Sequence, residues 1–285
     1  MKFGVIFANA GPAADPQHAV GLARAAEDAG FESLWTVEHV VVPAGYESTY
    51  PYSADGRMPG PEETPIPDPL IWLSYVAAVT TRIRLATGIL ILPQRNPVVL
   101  AKEVATLDAL SGGRVTLGVG VGWLKEEFDI IGVPFEERGA RTDDYVAALR
   151  ALWEQPAATY AGKFASFAGA QVYPKPAQAQ IPIVVGGHSE AAARRAGRIG
   201  DGFFPGSGDL EALAHLLDVM RKAAVDVGRD PEAIEVTAGG ALDPDGIKRY
   251  ADLGVSRMVV PPIGRDLESR QAFLSGMAPL ISQLA

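Results

Sequence analysis

IRLATGILILPQRNPVVLAKEVATLDALSGGRVTLGVGVGW, residues 83–123, is the stretch on which the fold turns. It opens on an apolar, β-branched-rich run at 83–91 and turns at PQRNP. A helical stretch follows, which Asn96-Pro97 opens and Gly112 closes. A capping side chain before a Pro at the first helical position, with a Gly past the last turn, punctuates a helix at both ends. A second apolar run, 114–119, comes directly after. Neither run alternates polar with apolar residues, which is the pattern of parallel strands covered on both faces. The stretch is therefore a strand, a helix and a second, parallel strand. Gly88 sits inside the first strand and implies a bulge or a close approach of a ligand to the backbone.

The same unit recurs outward in both directions. Further apolar runs lie at 3–7, 33–37, 181–185, 201–204, 234–239 and 256–260. Asp15-Pro16, Asp68-Pro69 and Asp243-Pro244 open helices between them, and Gly30 and Gly228 close two. Eight such units make either a closed (β/α)8 barrel or two doubly wound sheets. The first strand-to-helix turn, FANAGPAAD, lacks the G-x-G-x-x-G of a dinucleotide-binding half. The expected fold is thus α/β, a single (β/α)8 TIM-barrel domain over residues 1–285. Two segments exceed the repeat. Residues 40–67 form a long loop with Tyr46, Tyr50 and Tyr52, and 124–180 hold a helix and a small hairpin around YAGKFASF. Both follow strands, so both are expected over the C-terminal face, where such barrels keep their sites.

Composition removes whole classes of function. The chain has no Cys, which excludes disulfides, a thiolate nucleophile and Cys-ligated metals. Its four His (18, 39, 188 and 215) lack ligand spacing, so no metal site is expected. A net charge of −9 argues against nucleic acid as the partner. No apolar run approaches ~18 residues, so no membrane span is expected. The opening FGVIFANA resembles a short secretory signal, but it reads better as the first strand, and a cytoplasmic location follows.

Candidate site residues are those at the C-terminal ends of the strands: Asn9, Glu38-His39, Thr87-Gly88-Ile89, Gly120 to Trp123, and Gly186 to Ser189. Glu38-His39 places a carboxylate beside an imidazole that can pass a proton near neutral pH. The alternative is a histidine at the base of a loop, satisfied by hydrogen bonds. Successive strand residues point to opposite faces, so the two need not share a pocket. In VVGGHSEAAARR, Gly186-Gly187 precede a helix that Ser189 caps, with His188 beside it. Such a helix start favours an anion, although ordinary turn chemistry also explains it. Arg95 at the mouth suits an anionic ligand group or a surface carboxylate. Gly120 and Gly122, in LGVGVGW, admit a flat ring or a neighbouring backbone.

With these motifs in order, the chain resembles the luciferase-like monooxygenase superfamily, in its branch of coenzyme F420-dependent oxidoreductases. GFESLWTVEHVVVP, YPYSADGRMPGP, the run from TGILILP to VGWLKEEF, GVPFEERGARTDDY and IPIVVGGHSEAAARRAGRIGDGFFP carry the resemblance. It implies a cofactor ring deep in the barrel mouth, backed by a bulge with a non-proline cis peptide at Gly88–Ile89. It implies a phosphate at Gly186-Gly187 and His188-Ser189, and His39, with Glu38, handling a substrate proton. Asn9, Thr87, Gly120, Gly122, Trp123 and Arg95 would join the cofactor site, with Lys125 as a further candidate for its tail. Some relatives have a catalytic Glu where this chain reads Gly122-Trp123, which departs from sugar-phosphate dehydrogenase chemistry. The implied activity is hydride transfer between F420 and a small organic substrate. The alternatives are a two-component monooxygenase using reduced FMN and a non-catalytic flavin-binding protein. A homodimer is also implied.

Overall fold

A computed structural model describes residues 1–206, 209–240 and 242–284. In chain order the strands and helices are β1 (Lys2–Ile6), α1 (Pro16–Asp28), β2 (Ser33–Thr36), α2 (Pro69–Ala77), β3 (Arg84–Thr87), β4 (Leu90–Ile91), α3 (Pro97–Ser111) and β5 (Val115–Gly120). Then come α4 (Lys125–Ile131), α5 (Arg138–Glu154), the strands β6 (Ala158–Ala161) and β7 (Ser166–Ala170), β8 (Ile183–Gly186), α6 (Glu190–Ile199) and β9 (Gly202–Phe204). The chain ends with α7 (Leu210–Val225), β10 (Glu235–Gly239), α8 (Pro244–Asp252), β11 (Val255–Val260) and α9 (Leu267–Leu284).

Parallel pairing runs β3-β2-β1-β11-β10-β9-β8-β5, and β3 pairs with β5 to close the ring. The result is the expected (β/α)8 barrel. Helix starts follow the punctuation in the sequence. The side chains of Asp15, Asp68, Asn96 and Asp243 each accept from backbone N–H groups of the turn they open, with Pro at the first position. Gly112 closes α3 in the left-handed conformation at φ 71°.

The run at 83–91 is two strands rather than one. β3 pairs with β5 at Ala86↔Thr116, whereas β4 pairs at Leu90↔Val119, so the register slips by one residue. The extra residue falls at Gly88–Ile89, whose peptide bond is cis. A one-residue surplus on one strand is a bulge, and bulges re-aim side chains beside sites.

Apolar burial divides into two layers. Between the ring and its helices lies the main core, including Leu22, Leu34, Leu73, Leu85, Leu100, Leu117, Ile183 and Phe203. Inside the barrel a small cluster of Ile6, Trp35, Ala86, Val184 and Val259 is topped by Val37 and Phe204. Buried Arg257 sits beneath Trp35, 5.4 Å from its ring. It is held by Glu32 at 3.0 Å and Glu235 at 3.1 Å. The lower end is thus filled by ion pairs and the middle by Trp35, leaving the C-terminal mouth as the open end.

The excursion at 124–180 divides. α4 packs beneath the loop at 40–67, and α5 takes the ordinary helix position after β5. The hairpin β6–β7, expected over the mouth, lies along α5 instead. Tyr160 Oη donates to Asp144 at 2.7 Å, and Asp144 also accepts from the N–H groups of Lys163, Phe164 and Ala165. No helix among the described residues is long and apolar enough to cross a membrane.

Candidate active site

The floor of the mouth is Gly88, which lies over Ile6, Trp35 and Phe204. A Cβ there would stand 3.0 to 3.4 Å from those three side chains. Trp35 and Phe204 meet edge to face at 5.6 Å. The side chain of Ile89 is thrown sideways by the bulge, into space that only glycines leave open. A Cβ at Gly120 or at Gly186 would collide with it. Thr87 fixes the other end, because its hydroxyl donates to the Gly118 carbonyl at 2.6 Å.

His39 stands at the end of β2. Its Nδ1 lies 3.3 Å from Oε2 of Glu127, a fully buried carboxylate on α4. Oε1 of the same carboxylate accepts from Val40 N at 2.6 Å and Val41 N at 3.1 Å. Glu38 points elsewhere. Its buried carboxylate accepts from Ile91 N and from the guanidinium of Arg95. Arg95 also reaches Asp68, the cap of α2, at 2.7 Å. Burial pushes the Glu38 carboxyl up, against the opposing pull of Arg95. Burial opposes the charge on Arg95 as well, but the Glu38 and Asp68 carboxylates outweigh it and raise its pKa.

An aromatic row crosses the mouth. Trp123 meets His39 at 5.7 Å, Tyr46 at 5.4 Å and Tyr50 at 5.1 Å. Tyr50 meets Tyr52 at 5.3 Å, and Tyr52 meets His188 at 4.6 Å. The loop at 40–67 therefore reaches from β2 to the start of α6. Glu126 pins its middle, accepting from the N–H groups of Glu47 and Ser48 at 2.8 and 2.9 Å and from the Ser48 hydroxyl at 2.6 Å. Burial raises the phenol pKa values of Tyr50 and Tyr52, which keeps both as neutral donors. Burial also lowers the pKa of His188, whose Nδ1 is buried and has no hydrogen-bond partner among the described residues. Ser189 caps α6 by accepting from Ala192 N at 3.2 Å.

The structure brings His39, Trp123, Gly88-Ile89 and His188-Ser189 to one mouth. Several other expectations need correction. Glu38 and His39 lie beyond the last residue of β2 and bind different partners, Ile91 N and Arg95 for the one and Glu127 for the other. Arg95 meets carboxylates rather than an open anion site. The Asn9 amide is spent on protein backbone, with Nδ2 donating to Val37 O at 2.9 Å and Pro67 O at 2.8 Å, and Oδ1 accepting from Val37 N at 2.9 Å. Lys125 pairs with Asp129 at 2.6 Å on an exposed helix face. Gly120 and Gly186 make room for Ile89. Gly122 at φ 81° makes room for Phe128 and Ile91. The residue that sequence reasoning missed is Glu127, 88 positions from its imidazole. Phe7 was missed too: 47 % exposed at the end of β1, it has φ 59°.

The residues present fit a flat-ringed, phosphate-bearing cofactor. The backbone of the bulge at Gly88 floors the mouth, its missing Cβ directed down at Ile6, Trp35 and Phe204. His188 Nδ1, beside the α6 start and without a partner among the described residues, is a polar atom such a ligand could meet. Among the described residues, no three His, Asp or Glu side chains gather closely enough to hold a metal.

The sequence pattern of the family described as luciferase-like monooxygenase matches residues 1–242. An uncharacterized protein of Mycobacterium tuberculosis is 34% identical over 287 residues, covering 98% of both chains. The F420-dependent glucose-6-phosphate dehydrogenase of Kineococcus radiotolerans is 34% identical over 220 residues, covering 74% of this chain and 59% of that one. Among solved structures, an F420-dependent secondary alcohol dehydrogenase in complex with an F420-acetone adduct superposes with a TM-score of 0.79 at 19% identity, over 98% of each chain.

Proposed function

The chain belongs to the luciferase-like monooxygenase family, and on that premise we propose that it is an F420-dependent oxidoreductase transferring a hydride to or from a small organic substrate. The observation that carries this reading is the bulge at Gly88–Ile89, set beside a histidine that a buried carboxylate holds in place. Relatives described as F420-dependent support it. When bound, the deazaflavin supplies two-electron hydride chemistry, which leaves positioning and proton handling to the protein.

Each part then has a task. The backbone at Gly88 would back the ring, with its side-chain position turned down onto Ile6, Trp35 and Phe204, and Ile89, wedged between Gly120 and Gly186, keeps that backbone in place. His188, Ser189 and the start of α6 would hold the phosphate. His39 takes the substrate proton during oxidation and returns it during reduction, at the nitrogen not facing Glu127. Trp123, Tyr50 and Tyr52 exclude water from the mouth, where a dry environment strengthens every polar contact.

The phosphate cradle suits FMN equally, so a reduced-FMN monooxygenase is the second reading, with non-catalytic flavin binding the third. Titrating the purified protein with F420 and, separately, with FMN tests the choice by ring fluorescence. Tighter binding of F420, with turnover that His39→Ala abolishes and binding that it spares, is the expected result. Preference for FMN with oxygen-dependent turnover overturns it in favour of the monooxygenase. Binding without turnover in the presence of ketones, enones or alcohols favours the third. A homodimer belongs to the same proposal. It is supported by Ile71, Tyr75, Val98 and Val99, exposed on the neighbouring helices α2 and α3, and is checked by light scattering.

A further inference from the structure

We propose that Glu127 is the positioning residue that fixes which nitrogen of His39 carries the proton, so that Nε2 faces the substrate bare. This deepens the hydride-transfer reading of the same site and rests on it for its catalytic consequence, though not for its structural one.

The geometry is specific. Glu127 is fully buried on the first turn of α4, and three groups converge on its carboxylate. Oε1 takes the N–H groups of Val40 and Val41, the two residues that follow His39. Oε2 lies 3.3 Å from His39 Nδ1. An ionised carboxylate can only accept hydrogen bonds, and a neutral imidazole has one donor nitrogen and one acceptor. Nδ1 must therefore carry the hydrogen, and Nε2 is left with its lone pair. Trp123, perpendicular to the imidazole at 5.7 Å and 84°, restrains it from turning over.

The consequence follows from the balance of the reaction. If an alcohol is oxidised here, its carbinol hydrogen would leave as hydride, with the C–H bonding pair, to a bound deazaflavin. The O–H proton passes to His39 Nε2, and the C=O bond forms. A ring with its hydrogen on Nε2 cannot accept that proton. Because both backbone contacts of Glu127 lie on the residues after His39, the carboxylate also fixes the place from which the imidazole projects. The oxidised substrate, the reduced cofactor and the imidazolium account for all atoms and electrons.

The protein has four histidines, so a spectrum of the 15N-histidine-labelled protein is simple, and His39→Ala assigns the signal of interest. The protein without cofactor is expected to show His39 with a protonated Nδ1 and a bare Nε2. In Glu127→Gln the amide oxygen can still take both backbone N–H groups, and its NH2 then faces Nδ1. The tautomer is expected to invert. Turnover should fall by about 10²-fold or more, the scale of a lost general base, with cofactor affinity unchanged. A wild-type spectrum with the hydrogen on Nε2 overturns the proposal, as does an unchanged tautomer in a folded Glu127→Gln. If Glu127→Gln does not fold, the wild-type spectrum alone decides. Absence of F420 turnover in the wild type would sink the hydride-transfer reading while leaving the tautomer result standing.

Discussion

Removing the guanidinium of Arg95 isolates Glu38. The Glu38 side chain is 2% exposed, and its carboxylate is held by Arg95 and Ile91 N. Breaking a buried pair from one side costs about 3–5 kcal/mol, because the remaining charge has no compensation. At the roughly 2 °C per kcal/mol expected of a chain this size, Arg95→Ala should melt about 6–10 °C below the wild type. The loss must also depend on pH. Burial already raises the Glu38 carboxyl and Arg95 opposes that rise, so its removal lifts the folded-state pKa further above the unfolded value of about 4.3. A folded state that binds the proton more tightly gains stability as pH falls through its raised pKa toward the unfolded one. The deficit is therefore full above the folded pKa and shrinks on acidification. Thermal melts followed by circular dichroism at pH 8 and pH 5 provide the test, with Glu38→Gln added to Arg95→Ala as the rescue. Asp68 also loses a partner, but its side chain is 34% exposed and solvent screens its charge, so it contributes less. A deficit equal at both pH values, or no rescue by Glu38→Gln, would refute the idea that Arg95 serves to neutralise Glu38.

Glycines give two opposed expectations, both read from chemical denaturation. A Cβ at Gly118 would fall inside the radius of the Thr87 carbonyl oxygen, which is backbone and cannot swing away, so Gly118→Ala should cost about 3 kcal/mol or more. Gly276, exposed in α9 with nothing near its missing Cβ, should gain about 0.5–1 kcal/mol as alanine. Glu126→Ala removes the anchor at Glu47 and Ser48. Hydrogen exchange should therefore quicken at those two amides while the barrel strands stay protected.

What could be read in the sequence was whatever local chemistry dictates. Asp15, Asp68, Asn96 and Asp243 cap helices because a short acceptor before a Pro has little else to do. The unalternating apolar runs are strands because a barrel covers both of their faces. Gly88 declared itself by interrupting such a run. What could not be read was partner choice across long stretches of chain. Glu38 and His39 look like a pair in one dimension, yet in the turn beyond β2 one meets Arg95 and the other Glu127. Whether Arg95 would meet a ligand anion or a carboxylate stayed open because Asp68 and Glu38 are 27 and 57 residues away. α4 is only seven residues long and escaped notice. The adjacent Glu126-Glu127 before Phe128 was the trace available, since a carboxylate beside a buried aromatic on a short helix needs donors from somewhere. Gly120 and Gly186 were read as openings for a ligand, whereas the shape that fills them belongs to Ile89.

That wedge ties three positions together in the order in which they can change. While residue 89 is isoleucine, neither 120 nor 186 can acquire even a methyl group without a collision. Shrinking residue 89 first would free both, at the expense of a loosened floor. Mutational routes through this part of the barrel are consequently ordered: the same alanine is damaging before the change at 89 and tolerable after it. Descendants that altered the bulge would be expected to carry compensating changes on β5 and β8, strands that lie far from it in the sequence.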